Sequence, residues 1–206
     1  MIENVIFDFG GVIVDLDYDA SVRAFKALGA QNIEQVLDRY RQRDFFLDLE
    51  LGTITPEEFV ERLGAMCGRT VTHDQAAAAL EAIVIAPVQP RRLEMLRRLR
   101  DRYRLLLLSN TNPFILSMAA GPRFAADGSH LTDYFDRIYA SCDLHLAKPD
   151  APIFEYMIAD AGIAPERSLF VDDSEHNVAA GRALGFQTYC PRPGEDWCAA
   201  LEYLLR

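Results

Sequence analysis

Apolar residues gather along this chain in two different patterns. Five short runs, IENVIFD near the start, then YRLLLLSN, RIYAS, SLFVDD and FQTYC, are about strand length and mostly lack polar alternation. That is the pattern of strands buried on both faces of a parallel sheet. Elsewhere apolar positions recur at helical spacing. In PRRLEMLRRLRDR (90–102), Leu93, Met95, Leu96 and Leu99 gather on one side and the arginines on the other. In PIFEYMIADAG, Ile153, Phe154, Met157 and Ile158 share a face that closes at Gly162. SEHNVAAGRALG is expected to be capped by Ser174 and stopped by Gly185. Strand and helix alternate from about residue 90 onward, which predicts an α/β fold with a doubly wound parallel sheet, a Rossmann-like core.

Residues 16 to about 88 contain no convincing strand and several amphipathic helices. Thr55-Pro-Glu-Glu is a helix start, with a cap, a proline at the first helical position and a glutamate three residues on. That helix is expected to end at Gly68, and an alanine-rich one follows Thr72. The expected organisation is an all-helical cap over 16–88, inserted between the first and second strands, with 1–15 and 89–206 forming the α/β core.

At 206 residues, half of them hydrophobic and a quarter charged, the chain can bury a core of that size. A net charge of −10 disfavours non-specific binding to nucleic acid, and no polybasic patch for a membrane surface is visible. Cys67, Cys142, Cys190 and Cys198 show no CxxC spacing and read as free cysteines of a reducing compartment. The apolar start carries Glu3 and Asp8, lacks a basic leader and is too short to span a bilayer, so a cytoplasmic location is expected. The oligomeric state is left open.

Ligands bind open parallel sheets at the carboxyl ends of the strands. The first run ends in Asp8-Phe9-Gly10-Gly11, the second in Ser109-Asn110-Thr111-Asn112 and the fourth in Asp172-Asp173-Ser174, with Lys148 in the loop after the third. Taken singly, these residues are turn formers, helix caps or solvated loop positions. Together, in this order at strand ends, they suit a phosphate and a hard cation. Mg²⁺ takes oxygen ligands, and clustered carboxylates resist ionisation without a cation. Glycines let backbone amides approach phosphate oxygens, Ser109 offers a hydroxyl, and Lys148 supplies positive charge for a transferring group. An aspartate can then attack phosphorus, giving an acyl-phosphate that water hydrolyses.

FDFGGVIVD, LLLLSNTN, LAKPD and LFVDDSEHN resemble, in order and spacing, the four motifs of the haloacid dehalogenase superfamily. The likeness spans essentially the whole chain, because a helical cap after the first motif is also a family feature. Within the superfamily the motifs most resemble bacterial sugar-phosphate phosphatases, the glucose-1-phosphate phosphatases among them, and more distantly the N-terminal phosphatase domain of soluble epoxide hydrolases. The resemblance implies a Mg²⁺-dependent phosphoric monoester hydrolase acting on a small phosphorylated metabolite. Asp8 would be nucleophile and metal ligand, and Gly10 a carbonyl ligand. Ser109, Asn110 and Thr111 would hold phosphate, Lys148 would steady nucleophile and phosphate, and Asp172 and Asp173 would hold Mg²⁺ directly or through water.

One departure bears on mechanism. Most phosphatases of this superfamily carry an aspartate two residues after the nucleophile as general acid and base; here that position is Gly10. Losing a general acid costs roughly 10²–10⁴ in rate, which favours substrates with good leaving groups, such as sugar 1-phosphates. His145 and His176 lie near the motifs but read as loop and helix-surface residues, and Ala147 stands where relatives are often basic. Two alternatives follow: a 2-haloacid dehalogenase, against which the Asp172-Asp173 pair argues, and a catalytically idle phosphate-binding protein, against which the intact Asp8, Ser109 and Lys148 argue. A phosphosugar mutase would need the missing acid. In the cap, Asp15, Asp17, Tyr40, Arg43 and Phe46 are candidate substrate contacts.

Overall fold

All five apolar runs are strands of one sheet in the computed structural model, which describes residues 1–38, 42–192 and 194–205. The chain opens with β1 (Asn4–Phe7) and, after a tight loop, a two-residue strand β2 (Asp15–Leu16). Four helices follow, α1 (Tyr18–Leu28), α2 (Asp44–Glu50), α3 (Pro56–Cys67) and α4 (His73–Glu81), before a second short strand, β3 (Val84–Ile85). Then come α5 (Pro90–Arg100), β4 (Arg104–Ser109), α6 (Pro113–Ala119), β5 (Arg137–Ala140), α7 (Ser141–Leu144) and α8 (Ala151–Ala161). The chain continues through β6 (Ser168–Val171), α9 (Glu175–Ala183), β7 (Gln187–Tyr189) and α10 (Trp197–Leu204). The main sheet has the order β5-β4-β1-β6-β7, every pairing parallel.

The unbroken apolar character of the strands has a direct cause. Val5, Phe7, Leu105, Leu107, Leu169 and Val171 pack on one face, against α5 and α10, while Ile6, Leu106, Leu108 and Phe170 pack on the other, against α8. Successive residues of a strand point to opposite faces, so a sheet covered on both sides leaves no position for polar side chains. On the first face, the buried Trp197 indole donates to the carbonyl of Val12 at 2.7 Å and ties the final helix beneath the loop that follows β1.

The helices between β2 and β3 gather around their own apolar cluster, built on Phe25, Phe45, Phe46, Phe59 and Leu63. Thr55 and Thr72 each make a full capping box at the starts of α3 and α4, and Gly68 closes α3 in the left-handed region at φ 64°.

Two expectations need correction. The stretch expected to be free of strand is bounded by an antiparallel ribbon, Asp15 opposite Ile85 and Leu16 opposite Val84. Two-residue strands are too short to leave a periodic signal. Ser174 does sit at the start of α9, but its hydroxyl makes no cap bond; its backbone amide instead donates to Asp172 Oδ1 at 2.9 Å. Among the described residues, no helix is long and apolar enough to cross a membrane, and all four cysteines are free.

Candidate active site

The carboxyl ends of β1, β4 and β6 meet at the floor of a cavity of about 440 Å³, roofed by residues of α1, α2 and α4. That volume is in the range of small-molecule sites. Strand register brings the floor together: β1 lies between β4 and β6, so Asp8, Ser109 and Asp172 each follow or end a strand at one sheet edge.

Lys148 is the hub. Its ammonium lies 2.9 Å from Asp8 Oδ1 and 2.6 Å from Asp172 Oδ2, and its side chain is almost wholly buried. Asp172, fully buried, also accepts from the Ser174 amide and from both-oxygen contacts with Asn177 Nδ2 at 3.0 and 3.1 Å. One carboxylate oxygen from each of Asp8, Asp172 and Asp173 lies within 4.8 Å of the other two. Asp173 packs over Gly11, where a Cβ would fall 2.2 Å from its Oδ2. Gly11 has φ +72°, so only glycine suits both the turn and the approach.

The electrostatics follow from this crowding. Burial raises the Asp8 carboxyl, Lys148 pulls it down and the charges of Asp172 and Asp173 push it up, with a net rise to about 7. Asp173 rises to about 6 through burial and then the Asp172 charge. Lys148 is held above its ordinary value because its two carboxylate partners outweigh the effect of burial. One ammonium does not neutralise three carboxylates, and the group is short of positive charge. An all-oxygen donor set with that excess of negative charge fits Mg²⁺. The charge of a bound Mg²⁺ would neutralise the carboxylates and offset that of phosphoryl oxygens.

The other expected residues fall as follows. Ser109 is buried at the end of β4, and Asn110 and Thr111 line the cavity. The Asn110 side chain is spent on the Lys148 backbone, and the Thr111 amide on Ser141 Oγ at 2.9 Å. Asn112 caps α6. Gly10 lines the cavity beside Asp8. Of the cap candidates, Asp17 caps α1, Asp15 is held by Arg92 and Gln89, each at 2.7 Å, Arg43 precedes α2, and Phe46 is core that also lines the cavity. Tyr40 lies outside the described residues. His145 is a clamp: its Nδ1 lies 2.7 Å from the Leu51 carbonyl.

Three residues were not singled out from sequence. Asn177 completes the Asp172 shell, Ser141 links the end of α2 to the β4 loop, and Glu50 lines the cavity from the end of α2. Only Asn177 left a signal, since it falls one helical turn after the Asp pair in LFVDDSEHN.

Comparison with known proteins sets this geometry in context. The family model described as haloacid dehalogenase-like hydrolase matches residues 2–185. The D-ribitol-5-phosphate phosphatase of Bacteroides thetaiotaomicron is 42% identical over 205 residues, covering 100% of this chain and 99% of that protein. A predicted hydrolase of the same family from Porphyromonas gingivalis superposes with a TM-score of 0.94 at 44% identity, covering 100% of this chain and 98% of that one. A family enzyme of Bacteroides thetaiotaomicron, in complex with magnesium and inorganic phosphate, superposes with a TM-score of 0.86 at 35% identity over 100% of both chains.

Proposed function

The chain belongs to the haloacid dehalogenase-like hydrolases, and from that premise we propose that it is a Mg²⁺-dependent phosphatase of small sugar or polyol phosphates that carries the phosphoryl group on Asp8. The observation behind this reading is the buried Asp8, held by Lys148 and grouped with Asp172 and Asp173 on the cavity floor.

Asp8, Asp172 and Asp173, with the Gly10 carbonyl, would hold the metal. Ser109 and the Asn110 amide would fix the phosphate so that an Asp8 oxygen faces phosphorus. Lys148 would hold the Asp8 carboxylate in place and stabilise charge on the phosphoryl oxygens. Residues 16–88 would act as the cap over a core of 1–15 and 89–206 and select the alcohol part of the substrate. The 42%-identical relative is named for a pentitol 5-phosphate, and a cavity of about 440 Å³ accommodates a metabolite of that size. Such a substrate has a primary-alcohol leaving group, poorer than the anomeric one of a sugar 1-phosphate.

Phosphate release from a panel of pentitol, pentose and hexose phosphates, with Mg²⁺, with chelator and with Asp8→Asn, tests the proposal. Turnover that requires both metal and Asp8 supports it. Metal-dependent binding of phosphate esters with no release would point instead to an idle binding protein.

A further inference from the structure

We propose that Glu50, at the end of cap helix α2, takes the general acid and base role for which position 10 offers no side chain. This inference rests on the phosphatase reading above.

Most polar groups at the cap side of the cavity already have partners. Ser21 donates its hydroxyl to the Ala79 carbonyl at 2.8 Å. Tyr18 donates to the Leu37 carbonyl. Gln42 is closed onto the Asp38 backbone by two bonds, and Asp15 is taken by Arg92 and Gln89. Among the described residues, the Glu50 carboxyl is the cap group lining this cavity with neither hydrogen bond nor ion pair. Glu50 is half-buried at the cavity wall, and a carboxyl without a protein partner there is available to a group bound in the cavity.

Its position is fixed by the core rather than by the cap alone. The Glu50 carbonyl accepts from Ser141 Oγ at 2.6 Å, and the same hydroxyl contacts the Thr111 backbone beside the candidate phosphate loop. The next residue, Leu51, is held by His145. Gly52 then passes so close to Cys142 that a Cβ would fall 2.0 Å from the Cys142 carbonyl. Glu50 and Leu51 are thus bonded to Ser141 and His145 at the two ends of α7, with Gly52 packed against Cys142, which holds Glu50 at the cavity.

The titratable groups that bear on the Glu50 carboxyl are Asp8 across the cavity and the Cys142 thiol on α7. Burial, with the Asp8 charge adding to it, pushes Glu50 up to about 8. That is the direction that favours the protonated form a general acid needs.

The steps balance. An Asp8 oxygen forms a bond to phosphorus while the bond from phosphorus to the ester oxygen breaks, its electron pair staying on that oxygen. The Glu50 proton passes to the same oxygen, and the neutral alcohol leaves. Water then attacks the phosphorus of the acyl-phosphate and gives a proton to the Glu50 carboxylate. The bond between phosphorus and Asp8 breaks, its pair returning to Asp8, and free phosphate leaves with both residues restored.

The test compares Glu50→Gln with the unaltered enzyme on two leaving groups, in rapid-quench experiments with Mg²⁺ present. Nitrophenolate leaves without a proton, whereas a pentitol alkoxide does not. Glu50→Gln is expected to keep the rate and size of the first nitrophenol burst, which also shows that the variant is folded. Its steady-state turnover is expected to fall because dephosphorylation of Asp8 loses its base, and its phosphorylation by pentitol phosphate to fall roughly 10²–10⁴-fold. Equal loss on both substrates in the burst phase, or a change in KM alone, would overturn the inference in favour of a positioning or binding role. Unchanged rates on both would overturn it outright. Should the unaltered enzyme release no phosphate from either substrate, the phosphatase reading itself is what fails.

Discussion

Asn110 and Lys148 hold each other by a reciprocal pair of hydrogen bonds: the Asn110 amide group donates to the Lys148 carbonyl and accepts from the Lys148 backbone amide, both at 2.8 Å. The side chain at the end of β4 thereby sets the backbone from which the Lys148 ammonium reaches Asp8 and Asp172. Asn110→Ala removes both bonds at once. It is expected to lower kcat by about 10²-fold, the cost of misplacing a catalytic group by about an ångström, and to destabilise the protein by about 1–3 kcal/mol through the unpaired Lys148 amide. Steady-state kinetics and chemical denaturation check the two effects separately.

Gly11→Ala places a methyl group 2.2 Å from Asp173 Oδ2, at a backbone φ of +72°. Asp173 must move, and the loop must absorb strain of about 1–3 kcal/mol. A lowered melting temperature is expected, with Mg²⁺ affinity reduced by about tenfold or more as a ligand is displaced. Calorimetric titration with Mg²⁺ reads the second effect directly.

Stability without metal should depend on pH in an unusual sense. Asp8 is raised from 3.8 to about 7 and Asp173 to about 6, so between about pH 4 and 7 these two carboxyls bind more protons in the folded protein than in the unfolded chain. The contribution of these two groups to stability in chelator is therefore expected to fall as pH rises through that window, the reverse of a carboxyl whose pKa folding lowers. Saturating Mg²⁺, which favours the ionised cluster, is expected to flatten the curve. Thermal melts across pH with chelator and with Mg²⁺ check this; identical slopes would contradict it.

Gly10→Asp needs one small adjustment. The nearest neighbour of a Cβ there is Leu16 Cδ1, at 3.1 Å, so the substitution requires that side chain, 39% exposed, to shift by a few tenths of an ångström. In the Glu50→Gln background this change is expected to restore much of the turnover on pentitol phosphates, within the roughly 10²–10⁴-fold that a general acid contributes. Rates on the double variant, compared with each single one, show whether the two positions serve one proton.

The sheet was legible because its strands are covered on both faces, so β1, β4 and β6 carry apolar residues at consecutive positions. The floor of the site was legible for the same reason, since the strands end abruptly at Asp8, Ser109 and Asp172. What sequence missed lies in contacts between distant segments. The β2–β3 ribbon joins Asp15–Leu16 to Val84–Ile85 across the whole cap, and neither half has a pattern of its own. Ser174 looked like a cap from its neighbours, yet Asp172 takes its amide. Glu50, at the end of an acidic amphipathic helix, reads like any solvated glutamate until Ser141 and the cavity are in view.

The most direct test of the phosphoryl-carrier assignment follows the oxygen atoms and the phosphoryl group on Asp8. The enzyme turns over a pentitol phosphate in heavy-oxygen water with Mg²⁺, is quenched in acid, and the Asp8 peptide and released phosphate are weighed by mass spectrometry. Phosphorylated Asp8 in the quenched sample, with heavy oxygen found only in the phosphate, is the predicted result. Heavy oxygen entering the Asp8 carboxylate, or phosphate release with Asp8 never modified, would contradict it.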